Sequence, residues 1–162
     1  MKTFKYAFIL LASGLVLDAC TKPAEQAPYD LEKAKASIAE TNKNFANFSS
    51  ADSMKIAHLY HSQAMLLPPN SEIISGMDKI ASFVSGAAKM GVAGFKLSTS
   101  SVWGDADLVV EEGAYEVIDK GGATLETGKY IVLWKEEDGQ LKLFRDMWSA
   151  NMPMQMTAAE KK

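Results

Sequence analysis

A chain of 162 residues with 17 Lys+Arg against 20 Asp+Glu is one domain's worth of sequence and offers no basic field for nucleic acid. Its apolar fraction of 48% and charged fraction of 23% exclude a disordered chain or a fibre. Its one cysteine, Cys20, excludes an internal disulfide and a multi-cysteine metal centre.

Lys2 and Lys5 make a positive start, Tyr6 to Leu17 carries no charge, and Leu17-Asp18-Ala19-Cys20 follows. The uncharged run fits the roughly 7–15 residues of a signal-peptide core and falls short of the roughly 20 of a spanning helix. The last four residues resemble a bacterial lipobox, in which the cysteine is lipidated and becomes the new N-terminus. Asp18 departs from that pattern, which prefers a small uncharged residue. The alternative is an ordinary secretory signal with an incidental cysteine. The resemblance implies a signal peptide over residues 1–19, a membrane anchor at Cys20 and a periplasm-facing place in the bacterial cell envelope. Thr21, rather than Asp, after Cys20 is similar to the sorting pattern for the outer membrane over the inner. Residues 20–29 hold Pro23 and Pro28 and no apolar period, so they read as a tether. The body beyond is mildly acidic and unattractive to anionic head groups, which leaves the acyl chains as the expected membrane contact.

The domain is expected over residues 30–153. Asp30 caps a first helix whose stripe is Leu31, Ala34, Ile38, Phe45 and Phe48. Asp52 starts a second, with Ile56, Leu59 and Tyr60 as its stripe. Ala64 to Leu67 reads as a strand end before Pro68-Pro69, Ile73-Ile74 as a short return strand, and Gly76 opens a third helix that Gly91 ends. From Phe95 the apolar period drops from about 3.6 to 2. Strands are expected over Phe95 to Trp103, Leu108 to Ile118, Thr124 to Lys135 and Leu141 to Ala150, with Asp138-Gly139 a two-residue hairpin turn. Three N-terminal helices packed on a curved, mainly antiparallel sheet make an α+β class. Residues 154–162 read as a flexible tail.

Leu66 to Pro69, Ile74-Ser75-Gly76, Ile80-x-x-Phe83, Glu111-x-Gly113-x-Tyr115, Gly128-Lys129-Tyr130, Trp134-Lys135 and Arg145-Asp146-x-Trp148 stand in one order. That order resembles the NTF2-like superfamily and, within it, the SnoaL-like (DUF4440) group related to ketosteroid isomerases. The resemblance implies a cone-shaped fold, a pocket between the helices and the concave sheet face, and a homodimer through the sheet. It does not imply one chemistry. The isomerases use an Asp base with a Tyr and a protonated Asp as oxyanion hole, a worked case of general acid–base catalysis. The matching positions here are Pro68, Asn44 and Tyr130, so isomerase chemistry of that kind is not expected.

Alternation puts Phe144, Asp146 and Trp148 on one face of the last strand, and the resemblance turns that face to the pocket. Tyr130 and Trp134 join it from the preceding strand, Glu111 and Tyr115 from the one before, and Asn44 from the helical side. These residues are the candidate ligand wall, for a small, largely apolar molecule. Plain core packing is the alternative for the aromatic ones. Asp146, and after it Glu111, are the candidate acid/base groups if the protein is an enzyme, because desolvation beside aromatic rings raises a carboxylate's pKa. The alternative for Asp146 is an ion pair with Arg145 or Lys129. No cofactor and no metal are expected. His58 and His61 have i,i+3 spacing without a third ligand, and the Met152, Met154 and Met156 run reads as loose packing rather than a copper site.

Overall fold

The computed structural model describes residues 29–50 and 52–151. The expected signal peptide, Cys20, the expected tether up to residue 28 and everything from Met152 onward, including its methionine run, lie outside the described residues.

Helix α1 spans Leu31–Asn42. Asp30 caps it, its Oδ1 accepting the Lys33 amide at 2.9 Å, and Ala34 and Ile38 are its buried positions. The stripe expected to carry on to Phe48 is broken. Asn44 turns its amide back onto the Thr41 carbonyl (3.0 Å), and the chain continues over Lys43–Ser50 as 3-10 turns kinked at Asn47. Phe45 and Phe48 are buried all the same, Phe48 edge-on to Phe95 at 5.0 Å. Helix α2 is short, Ser53–Ala57, and is capped by Asp52.

Tyr60 does not close that helix. It opens strand β1 (Tyr60–Leu67), four residues ahead of the expected Ala64, because the Leu59 carbonyl already accepts the Leu143 amide across the sheet. Sheet pairing overrides helical spacing here. β2 (Ile74–Ser75), α3 (Met77–Lys89), β3 (Val92–Gly104), β4 (Val109–Asp119), β5 (Thr124–Glu137) and β6 (Gln140–Ala150) follow. The sheet order is β2-β1-β6-β5-β4-β3. β1 runs parallel to β6 and every other pairing is antiparallel, so the sheet is mixed. The class is α+β, and α3 follows β1 and β2 in the expected order, so the three helices do not form one N-terminal block. Asp138 and Gly139 both have positive φ, as the expected hairpin turn requires.

One face of the sheet meets the helices. Ile38, Ile56, Ile80 and Val84 form a single core with Val109, Val132, Trp134 and Leu143. Among the described residues no helix lies on the other face. Trp103, Val110, Leu133 and Arg145 stand in one register row there, and Ile131 and Met147 in the next, with Trp103 55% and Met147 47% exposed.

Two glycines let aromatic rings lie across the inner face. Tyr130 is paired with Gly113, and Tyr115 with Gly128. A Cβ on Gly113 would stand 2.4 Å from the Ser98 carbonyl oxygen and 2.7 Å from the Tyr130 hydroxyl; one on Gly128 would stand 2.3 Å from the Tyr115 ring. Backbone on one side and a fixed ring on the other leave Gly113 no room to relax. Gly113→Ala should therefore lower unfolding stability by about 1–3 kcal/mol in chemical denaturation, the range of overpacked cores, and an unchanged midpoint would show that the Tyr130 ring is not held against Gly113.

Candidate functional site

Register builds the site as rows across the inner face. Val102, Glu111, Val132, Asp146 and Leu66 occupy one row from β3 to β1. Thr99, Gly113, Tyr130 and Trp148 occupy the next. Glu111 and Asp146 are thus two strands apart, roughly 10 Å by strand spacing.

Glu111 is fully buried, at 0% exposure. Its Oε1 accepts from Asn42 Nδ2 (2.8 Å), the Thr99 hydroxyl (2.6 Å) and the Tyr130 hydroxyl (2.8 Å), and its Oε2 from the Trp134 indole N–H (3.1 Å). Asn42 ends α1, Thr99 lies on β3, and Tyr130 and Trp134 lie on β5, so one carboxylate ties three elements to β4. Every contact is a donor, the complement of a group that only accepts. Among the described residues no cation pairs with it and no buried side-chain polar atom lacks a partner. Burial, with the Glu111 charge adding to it, raises the Tyr130 hydroxyl's pKa, so that group remains a donor.

Asp146 differs. It is half-buried, and its one hydrogen bond among the described residues is from the Tyr60 hydroxyl to Oδ2, 2.8 Å. Burial and the charge of Glu111 raise its pKa from 3.8 to about 6, with the Tyr60 bond pulling the other way. Tyr60 is itself buried and held protonated by burial and by Asp146. Trp148 is half-buried next along β6, its ring 5.8 Å from that of Phe83 on α3. Asp146 is therefore a carboxyl that solvent can reach, set in a wall of rings, able to exchange a proton near neutral pH. The alternative ion pairs do not form: Arg145 donates to the Gln63 and Phe144 carbonyls, and Lys129 to Asn151.

Of the expected wall, Tyr130, Trp134, Glu111, Asp146 and Trp148 do share the inner face. Tyr115 is on it too, its hydroxyl donating to Glu126 at 2.6 Å; like Tyr130, Trp134 and Glu111 it is buried, and of these only Asp146 and Trp148 are partly exposed. Two expectations are corrected. Phe144 is displaced by a register shift between Leu133 and Trp134, which pairs Trp134 with Leu143 and leaves Phe144 unpaired. Its ring contacts His61 edge-on and carries the Arg145 guanidinium at 3.7 Å and the Lys135 ammonium at 4.9 Å. Asn44 is exposed and spent on the end of α1, while Asn42, two residues earlier, reaches the interior. His58 follows α2 and His61 lies in β1, so the pair shares no helix face. Thr99 and Tyr60 were not expected in the site: Thr99 looks like any polar strand position, and Tyr60 reads as the last turn of a helix.

No family model matches the sequence, and no curated protein matches it significantly. Solved structures do. A ketosteroid isomerase-like protein from Erwinia carotovora is 18% identical, with a TM-score of 0.60 over 76% of this chain and 97% of that one. An NTF2-like protein with a cystatin-like fold from Novosphingobium aromaticivorans is 12% identical, with a TM-score of 0.66 over 79% and 86%. A putative calcium/calmodulin dependent protein kinase II association domain from Xanthomonas campestris is 22% identical, with a TM-score of 0.58 over 75% and 87%. The chain has the NTF2-like fold. At these identities the likeness speaks of fold alone.

Glu111→Gln keeps the shape but turns one acceptor oxygen into an NH2, which meets a donor at either position. It should lower stability by about 1–3 kcal/mol; a neutral effect in denaturant unfolding would mean that one of the four donors is not aimed at Glu111. Asp146 sets a pH window. Its folded pKa is raised, so its contribution is complete below pH 3.8 and is lost as the pH climbs through about 6. Relative to Asp146→Asn, the wild type should lose about 1–2 kcal/mol between pH 4 and 7, after allowance for partial exposure. A stability difference that stays flat across that interval would leave Asp146 an ordinary solvated carboxylate.

Proposed function

We propose that this chain is a lipid-anchored cell-envelope protein whose NTF2-like domain binds a small, largely apolar molecule on the inner sheet face, without turnover. The observation that carries this reading is the contrast between the two interior carboxyls. Glu111 is sealed behind four donors at zero exposure, where no substrate reaches it. Asp146 is the reachable one, beside Trp148, with one oxygen held by Tyr60. A single polar group in an apolar, aromatic wall orients a ligand. Proton transfer with charge development needs a second group aimed at the reacting atom, and Pro68 stands where the isomerases carry their base.

An enzyme reading is favoured by one thing, the Asp146 pKa of about 6, which suits an acid or base at neutral pH. Envelope anchoring is supported by Lys2, Lys5, the uncharged run and Cys20. A second copy of the chain is the proposed partner for the uncovered sheet face, where Trp103, Ile131 and Met147 are exposed together.

Trp148→Ala should weaken binding of an apolar fluorescent probe such as anilinonaphthalene sulfonate about tenfold or more, the loss of one buried aromatic contact. Unchanged probe affinity would place the ligand elsewhere and reject the inner-face site. Cys20→Ser should move the protein from the membrane fraction to the soluble fraction, and the soluble form should weigh as a dimer that Ile131→Lys dissociates. Retention of Cys20→Ser on membranes would reject the lipid anchor, and a monomer mass would reject the sheet-face dimer.

A further inference from the structure

A concavity lies at the β5–β6 hairpin end of the helix-covered sheet face, apart from Asp146 and Trp148. It is a cleft of about 620 Å³ running along α1 between the start of that helix and the β5–β6 hairpin, with His58 and Leu59 on its far wall. That volume is in the range of small-ligand sites, roughly 300–1,000 Å³. Its lining is unlike the apolar wall around Asp146. Lys33, Ser37 and Thr41 are four residues apart on α1 and present one row of side chains. Glu136 and Gln140 face them from the hairpin, and Tyr29 closes the end. Among the described residues none of these six side chains makes a hydrogen bond or ion pair with another residue.

The chemistry of the six narrows what would satisfy them. Counting the whole lining, the cations Lys33 and Lys142 are matched by the anions Asp30 and Glu136, so a ligand carrying a single net charge is attracted at one side and repelled at the other. The other four of the six are neutral, and between them they offer donors and acceptors in alternation. A molecule dense in hydroxyls answers all of them at once, since each hydroxyl both donates and accepts. Tyr29 adds a half-buried ring whose face can cover the C–H surface of a pyranose. Burial, and then the carboxylates of Glu136, Asp105 and Asp30, raise its hydroxyl's pKa, so it stays a donor.

We infer that the α1–hairpin cleft is a saccharide-binding site, independent of the apolar site on the inner sheet face. Glu136 accepts from a pair of sugar hydroxyls, Gln140 donates beside it and Lys33 from across the cleft, and Tyr29 stacks at the end.

Saturation-transfer NMR tests this on the full chain carrying Cys20→Ser, with D-glucose, N-acetyl-D-glucosamine, cellobiose and chitobiose as probes. The expected result is transfer to at least one of the four. Tyr29→Ala and Glu136→Gln should each weaken it about tenfold, the loss of one stacking or charge-assisted contact, and Trp148→Ala should leave it unchanged. Glu136 is exposed, so Glu136→Gln tests the site without threatening the fold. Transfer to none of the probes overturns the inference, as does transfer that survives both cleft variants. Transfer lost in Trp148→Ala and kept in the cleft variants would put the sugar on the inner face and overturn it equally, while loss of apolar-probe binding alone would count only against the inner-face reading.

Discussion

Glu111 places a carboxylate inside an apolar domain, with no cation beside it among the described residues and no exposed surface. Such a group is tolerable only while all its acceptor capacity is met. The side chains that meet it come from the last residue of α1, the middle of β3 and two positions of β5. Much of the architecture serves that condition. α1 must end at Asn42, Thr99 must lie in register with Gly113, and Gly113 must be bare so that the Tyr130 ring can cross it. A slip of one residue in β3 or β5 would turn a donor to the other face and strand the charge. Removing one partner from a buried charge is far more destabilising than never having built the pair, so the network specifies one arrangement rather than adding much net stability.

The same network shapes the neighbouring chemistry. Its charge is one reason the Asp146 carboxyl holds its proton to about pH 6, and its rigidity keeps Tyr130 and Trp134 as wall rather than as moving parts. Tyr60 plays toward Asp146 the part that four groups play toward Glu111, and one donor leaves the other oxygen open. Two carboxyls in one row of one sheet are thereby held differently: the first organises the interior, the second has one oxygen bonded to Tyr60 and is partly exposed. Their difference lies in the number of donors each receives and in exposure, as residue type is nearly the same.

The sheet also separates its two faces by composition. The helices cover the inner face and its ionisable groups. The outer face is left with Trp103, Ile131 and Met147 in adjoining rows, and with a Phe144 ring covered by Lys135 and Arg145. The Lys135 and Arg145 cations over that ring make this part of the face polar.

Alternation and turn chemistry made much of this legible from the residues alone. Period 2 from Phe95 onward, Asp138-Gly139 at a turn, and apolar spacing at Ile80, Val84 and Ala87 are local facts, and the meander, the hairpin and α3 follow from them. So does the sharing of one face by Glu111, Tyr130, Trp134, Asp146 and Trp148, because strand parity carries over any stretch without a bulge. What alternation cannot contain is a change of parity or a choice of partner. The shift at Trp134 that sends Phe144 away, the end of α1 that brings in Asn42 instead of Asn44, and the pairing that makes Tyr60 a strand residue are each decided by contacts with elements far along the chain. Thr99 and Tyr60 entered the site in the same way: a hydroxyl on a strand carries no mark of its role until the fold sets a carboxylate 2.6 or 2.8 Å away.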